Sequence, residues 1–176
     1  MRKVLPFLIV ACLFCCGFGK PFSPNDFLSS KDFSIVINEI CYHPLPAGGI
    51  TPWRLQWVEL YNRSASPIDI SGWYFGEGIN FYFPQATVIP GNSYLVVCKD
   101  EDAFRAVWSG VPSIGNFEGT LTNRRDRITL FNEKGFVVDT VFWKNSDPYP
   151  TTPDGKGATL ELLDPWEDND RPEAWE

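Results

Sequence analysis

Apolar residues recur at every second position through much of this chain, and proline, glycine and small polar residues fill the intervals between those stretches. Residues 34–42 (SIVINEICY) carry β-branched side chains at both parities, the pattern of a strand buried on both faces. Residues 55–62 (LQWVELYN) alternate, with Val58 and Leu60 on one face and Trp57, Glu59 and Tyr61 on the other, predicting a strand between two different environments. Further strand signals follow in INFYFP, in the apolar run from Tyr94 to Cys98 behind a Pro90-Gly91 turn, and in RITLF, FVVDTVFW and ATLELL. RITLF and FVVDTVFW are separated by residues 132–135, which is hairpin length. One short helix is predicted over residues 100–108, where an acidic first turn suits the positive helix end and Phe104, Val107 and Trp108 share a face. About eight short strands without a β-helix-β rhythm predict an antiparallel all-β sandwich or barrel.

The first residues follow a different pattern. Arg2 and Lys3 precede an apolar run over residues 4–16, with Gly17 and Gly19 after it, which is the layout of a secretory signal peptide. The run is too short to cross a bilayer as a helix, and Pro6 interrupts it. An alternative is a lipoprotein box at Ile9, Val10, Ala11 and Cys12, in which Cys12 is acylated. The chain thus divides into a leader (1–19), a polar linker (20–33), a β-sandwich (34–163) and an acidic C-terminal tail (164–176). The expected location is secreted or in the cell envelope, with membrane contact only through the leader or a lipid anchor.

At 176 residues with 44% hydrophobic content, the chain suffices for one domain and needs no metal or disulfide to fold. Its formal net charge of −7 makes nucleic acid a poor expectation for a partner. Cys41 and Cys98 are the two cysteines outside the leader and form a candidate disulfide, the alternative being two small buried apolar residues. With His43 the one histidine and no CxxC pair outside the leader, no metal or other cofactor is expected.

Six blocks carry a resemblance. INEICYHP, QWVELYNRS, DISGWYF, FYFP with TVIPG, YLVVC, and LTNRRDRITLFNEKGFVVDTVFW follow in order the pattern of the lamin tail domain, and the chain is similar to exported bacterial members of that family. The resemblance implies an immunoglobulin-like β-sandwich acting as a non-catalytic module. Two positions depart from the family pattern. Asn123-Arg124-Arg125-Asp126 lacks the usual glycine, so that turn must be rebuilt or strained, and Gln56 stands where an acidic residue is common.

The candidate chemistry is sparse. Cys41 and His43 would share a strand face, but a Cys-His nucleophile also needs a cleft and an orienting group. Glu39 and Glu59 fall on neighbouring strand signals and are the pair an accessory or degenerate carbohydrate-active enzyme would use. Asp164, Glu167, Asp168 and Asp170 lack the spacing of an EF-hand loop and read as a solvated tail. Core packing claims most of Trp53, Trp57, Trp73, Tyr82 and Trp143, Trp73 among them, and Trp53, in the long loop, is the one expected to be exposed and able to stack on a sugar or another partner. Arg124 and Arg125 make a small basic turn that joins it as a candidate contact. The function expected is therefore an exported, non-catalytic binding, adhesion or scaffolding module at the cell surface or outside the cell, with a protein or polysaccharide partner. A structural envelope or matrix protein is the further alternative.

Overall fold

A computed structural model describes residues 32–176; the leader, Cys12 and nearly all of the 20–33 linker lie outside the described residues. Among the described residues there are twelve strands, several of only two residues. In the first sheet, β1 (Ile35–Cys41) lies between β2 (Trp57–Asn62) and the short β12 (Leu160–Glu161). β7 (Ser93–Cys98) follows β2, and β8 (Ser113–Gly115) closes the edge. The second sheet has the order β11 (Val137–Lys144), β10 (Arg125–Phe131), β4 (Tyr74–Glu77), β5 (Ile79–Tyr82) and β9 (Glu118–Gly119). A two-stranded ribbon joins β3 (Ile68–Asp69) to β6 (Val88–Ile89).

The alternation of β2 is realised in full. Val58 and Leu60 are fully buried in the main core, while Trp57, Glu59 and Tyr61 face the other way. Between the sheets that core gathers Trp73, Phe75, Ile128, Leu130, Val141 and Trp143, with Tyr42 stacked on Trp143 at 5.7 Å between ring centres. A second, smaller cluster on the outer face of the first sheet holds Cys41, Trp57, Val96 and Cys98 under Phe104. Phe104 comes from α1 (Glu101–Val107), whose N-cap Asp100 accepts a hydrogen bond from Ala103 N, so the predicted helix forms where its acidic turn and apolar stripe place it.

One pairing departs from the antiparallel expectation. β7 and β8 run parallel, with α1 as the crossover between them. Parallel neighbours need a connection of about a dozen residues or more, and that stretch supplies it with a helix too short to announce a β-helix-β unit. The acidic stretch 164–176 also folds back on the sandwich. Leu162 bridges to Trp175, whose ring is 4% exposed in the main core, and the Trp175 indole N–H donates to the Asn169 carbonyl.

Candidate functional site

The loop after β1 is forced out of regular structure by Pro44, Pro46 and Pro52, and Pro52 then opens a short 3-10 turn, Pro52–Leu55. Leu55 is fully buried and anchors the turn, which leaves Trp53 standing 54% exposed. Arg54 pins the turn from the side, its Nε donating to Asp100 Oδ2 at 2.6 Å. That bond holds the Asp100 carboxyl below its usual range. Trp53, Pro44, Pro52, His43, Thr120 and Asn123 line a groove of about 300 Å³, with Tyr42 and Gln56 also in its wall.

Gln56 explains its own departure from the family pattern. Its Nε2 donates to the carbonyls of Tyr42 and Leu121, both at 2.7 Å, and its Oε1 accepts from Leu121 N. A carboxylate at this buried position could accept but not donate, so it would face two carbonyl oxygens with nothing to offer them. The side-chain amide therefore joins the end of β1 to the stretch leading into β10.

A second hollow, of about 540 Å³, is lined by Arg124, Arg125, Lys144, Asn145 and Ser146. It adjoins the groove at two places: Asn123 lines one and Arg124 the other, and Asn145 Nδ2 donates to Asp154 Oδ2 while His43 Nδ1 shares a 2.6 Å bond with Asp154 Oδ1. The His43 bond, then the Asn145 bond, hold the Asp154 carboxyl below its ordinary value. Gly155 is required behind this pair. Its φ is +69°, and a Cβ there would meet the His43 ring at 2.9 Å.

The glycine-free turn is rebuilt without strain. Among the described residues Ala86 and Asn92 are the non-glycine positions with positive φ, and neither belongs to it. Instead Asp126 accepts from Thr122 N and Arg127 N, Thr122 Oγ1 donates to the Arg125 carbonyl, and Asn145 N donates to the Arg124 carbonyl. Both Asp126 oxygens are thereby used on backbone, and among the described residues Arg124, Arg125 and Lys144 form no ion pair.

The remaining candidates lie elsewhere. Cys41 and Cys98 are both free and buried, so the candidate bridge is not formed. Each is the cross-strand partner of Trp57, one on β1 and one on β7, which places β2 between them. Two strand spacings put their Cα atoms roughly 10 Å apart, beyond the roughly 7 Å that a disulfide tolerates. Burial pushes both thiols up to about 12, the reverse of what activates a nucleophile, and His43 is engaged with Asp154 instead of Cys41.

Glu39 and Glu59 do stand side by side. They are cross-strand partners on the outer face of the first sheet, with Glu161 of β12 opposite Glu39 on its other side. Thr159 donates to Glu39, and Asn38 Nδ2 donates to Glu59 Oε1 at 3.1 Å. Desolvation, reinforced by the neighbouring carboxylates, raises Glu39 and pushes Glu59 up to about 7. Tyr82, which alternates with the buried Phe81 and Phe83, is 71% exposed and stacked on Tyr74 at 5.0 Å. Among the described residues no cluster of His, Cys, Asp and Glu is placed to hold a metal ion.

Two face-packed sheets, a Trp-rich core and loops gathered at one end define an immunoglobulin-like β-sandwich module. The family model of the Lamin Tail Domain matches residues 29–145, and the chain belongs to that family, one of non-enzymatic immunoglobulin-like domains. No curated protein matches the chain.

Proposed function

We propose that this chain is an exported, non-catalytic binding module that captures a polysaccharide through the end bearing Trp53. The observation that carries this reading is the gathering of Trp53, Arg124 and Arg125, from two distant segments, around one groove and its adjoining hollow. A half-exposed indole bordered by side-chain amides, a hydroxyl and an imidazole matches the chemistry of a sugar ring, which offers C–H groups to an aromatic face and hydroxyls to polar neighbours. The basic residues Arg2 and Lys3 ahead of the apolar run 4–16 support export.

The test is retention on insoluble polysaccharides, neutral and acidic, for the mature chain and a Trp53→Ala variant with unchanged circular dichroism. Retention that the variant loses supports the reading; no retention, or equal retention by both chains, contradicts it. Mass spectrometry of the mature N-terminus decides the compartment. A start near Gly19 or Lys20 means secretion, an acylated Cys12 means anchorage at the envelope, and an intact Met1 contradicts export.

A second reading draws on Glu39 and Glu59, whose adjacency and raised carboxyl pKa are features of a glycosidase pair. Hydrolysis of a bound polysaccharide that a Glu59→Gln variant loses would favour it over simple capture.

A further inference from the structure

We propose that the hollow at Arg124, Arg125 and Lys144 takes the anionic group, carboxylate or phosphate, of an acidic saccharide whose neighbouring ring lies on Trp53. This rests on the groove reading above and adds the charge that its ligand carries. Four observations converge on it.

First, Arg125 and Lys144 are direct cross-strand partners in the β10–β11 pair. Like charges in that relation repel, so the arrangement is unfavourable until an anion lies between them. Second, among the described residues none of the three cations forms an ion pair. The oxygens of Asp126 are directed to Thr122 N and Arg127 N, and those of Asp154 to His43 and Asn145. Third, the lining of the hollow is made of donors: two guanidinium groups, an ammonium, a side-chain amide and a hydroxyl, with no carboxylate among them. On a chain of net charge −7, three cations around one open hollow, each without an ion pair among the described residues, run against the general field. Fourth, the hollow opens beside an aromatic groove and not on bare surface, since Asn123 and Arg124 are consecutive and His43, Asp154 and Asn145 are hydrogen-bonded in series between the two.

These features together select a ligand with a ring and a nearby anion. A neutral glycan leaves the repelling pair uncompensated. A nucleic acid offers bases to Trp53 and phosphates to the arginines, but a chain this acidic with three local cations falls short of the six to ten or so phosphate contacts on which backbone binding commonly depends.

The test is calorimetric titration of the mature chain at about 50 mM and 500 mM salt with four probes. They are an oligogalacturonate, a phosphorylated gluco-oligosaccharide, a neutral cello-oligosaccharide of equal length, and single-stranded DNA. The expected result is that one of the two acidic oligosaccharides binds at least about tenfold more tightly than the neutral one, and that high salt removes the advantage. The arm that binds says whether carboxylate or phosphate is recognised. An Arg125→Ser, Lys144→Ser double variant, with an unchanged melting temperature, should lose that advantage and keep any affinity for the neutral oligosaccharide. Equal binding of neutral and acidic oligosaccharides, or an acidic affinity that the double variant leaves intact, overturns the charge assignment while leaving the groove standing. No binding by either acidic probe, or tighter binding by DNA, overturns it as well. Acidic binding unaffected by Trp53→Ala overturns the groove reading itself.

Discussion

Two places on this sandwich set like charges on adjacent strands, and they have opposite character. On the outer face of the first sheet, Glu161, Glu39 and Glu59 form a row across β12, β1 and β2. At the loop end, Arg125 and Lys144 face each other across β10 and β11. Glu39 and Glu59 are partly buried, are hydrogen-bonded by Thr159 and Asn38 respectively, and hold their protons more tightly, chiefly through desolvation and then through the neighbouring carboxylates. The bases line an open hollow beside an aromatic groove, where arginine does not give up its proton. One row has become part of the sheet; the other forms no ion pair among the described residues. The difference shows that the same cross-strand repulsion is a structural feature where neighbouring groups answer it and a binding feature where a ligand must.

The largest effect that sharpens the contrast falls on the scaffold of the loop end. Gln56→Glu should cost about 3 kcal/mol in chemical denaturation, because it sets a buried carboxylate against the Tyr42 and Leu121 carbonyls. A loss under about 1 kcal/mol would mean that the groove is not held by that amide.

The acid row should respond next, through pH. The Glu59 carboxyl is raised from 4.5 to about 7 in the fold, so the native state holds its proton more tightly than the unfolded chain. The penalty for ionising it is therefore absent below about pH 4.5, grows as pH rises through about 7, and is fully present above that. Asp139, raised to about 6 chiefly by desolvation, has the same sign. Asp100 and Asp154, both lowered, contribute in the opposite sense and lose their stabilisation in more acidic solution. Stability should thus be greater near pH 5.5 than at pH 8. Glu59→Gln should raise stability at pH 8 by about 1 to 2 kcal/mol, after allowance for partial exposure, and flatten the slope. A melting temperature that climbs from pH 5.5 to pH 8 in the parent chain would contradict this account of the row.

The smallest effect belongs to the basic pair. Arg125→Ser should leave stability unchanged or raise it by up to about 0.5 kcal/mol, since it removes an exposed repulsion and no ion pair among the described residues. A loss above 1 kcal/mol in denaturant melts would assign Arg125 a structural role.

How much of this was legible depended on the range of the interactions involved. β1, β2, β7, the β10–β11 hairpin and α1 follow from local periodicity and capping, and Trp53 is exposed because three prolines force its loop outward. Pattern reading missed what arises from distant segments meeting. The parallel β8 depends on where α1 returns the chain, and Trp175 is buried because the chain end folds back along β12 and the residues that follow it. Lys144, Asn145 and Asp154 carried no local signal at all. Strand pairing alone brings Lys144 opposite Arg125, and a register shift between Leu130 and Phe131 obscures even that from the turn outward. The candidate disulfide failed for a related reason, because strand order and not cysteine count decides whether two thiols can meet.

The most direct measurement is backbone and indole chemical-shift mapping of the labelled protein during titration with an oligogalacturonate and, separately, a phosphorylated gluco-oligosaccharide. The account predicts that at least one of them moves the Trp53 indole together with Asn123, Arg124, Arg125, Lys144 and Asn145, while Glu39, Glu59 and Glu161 stay fixed. Shifts confined to the acid row, or none at saturating concentrations of both ligands, would contradict it.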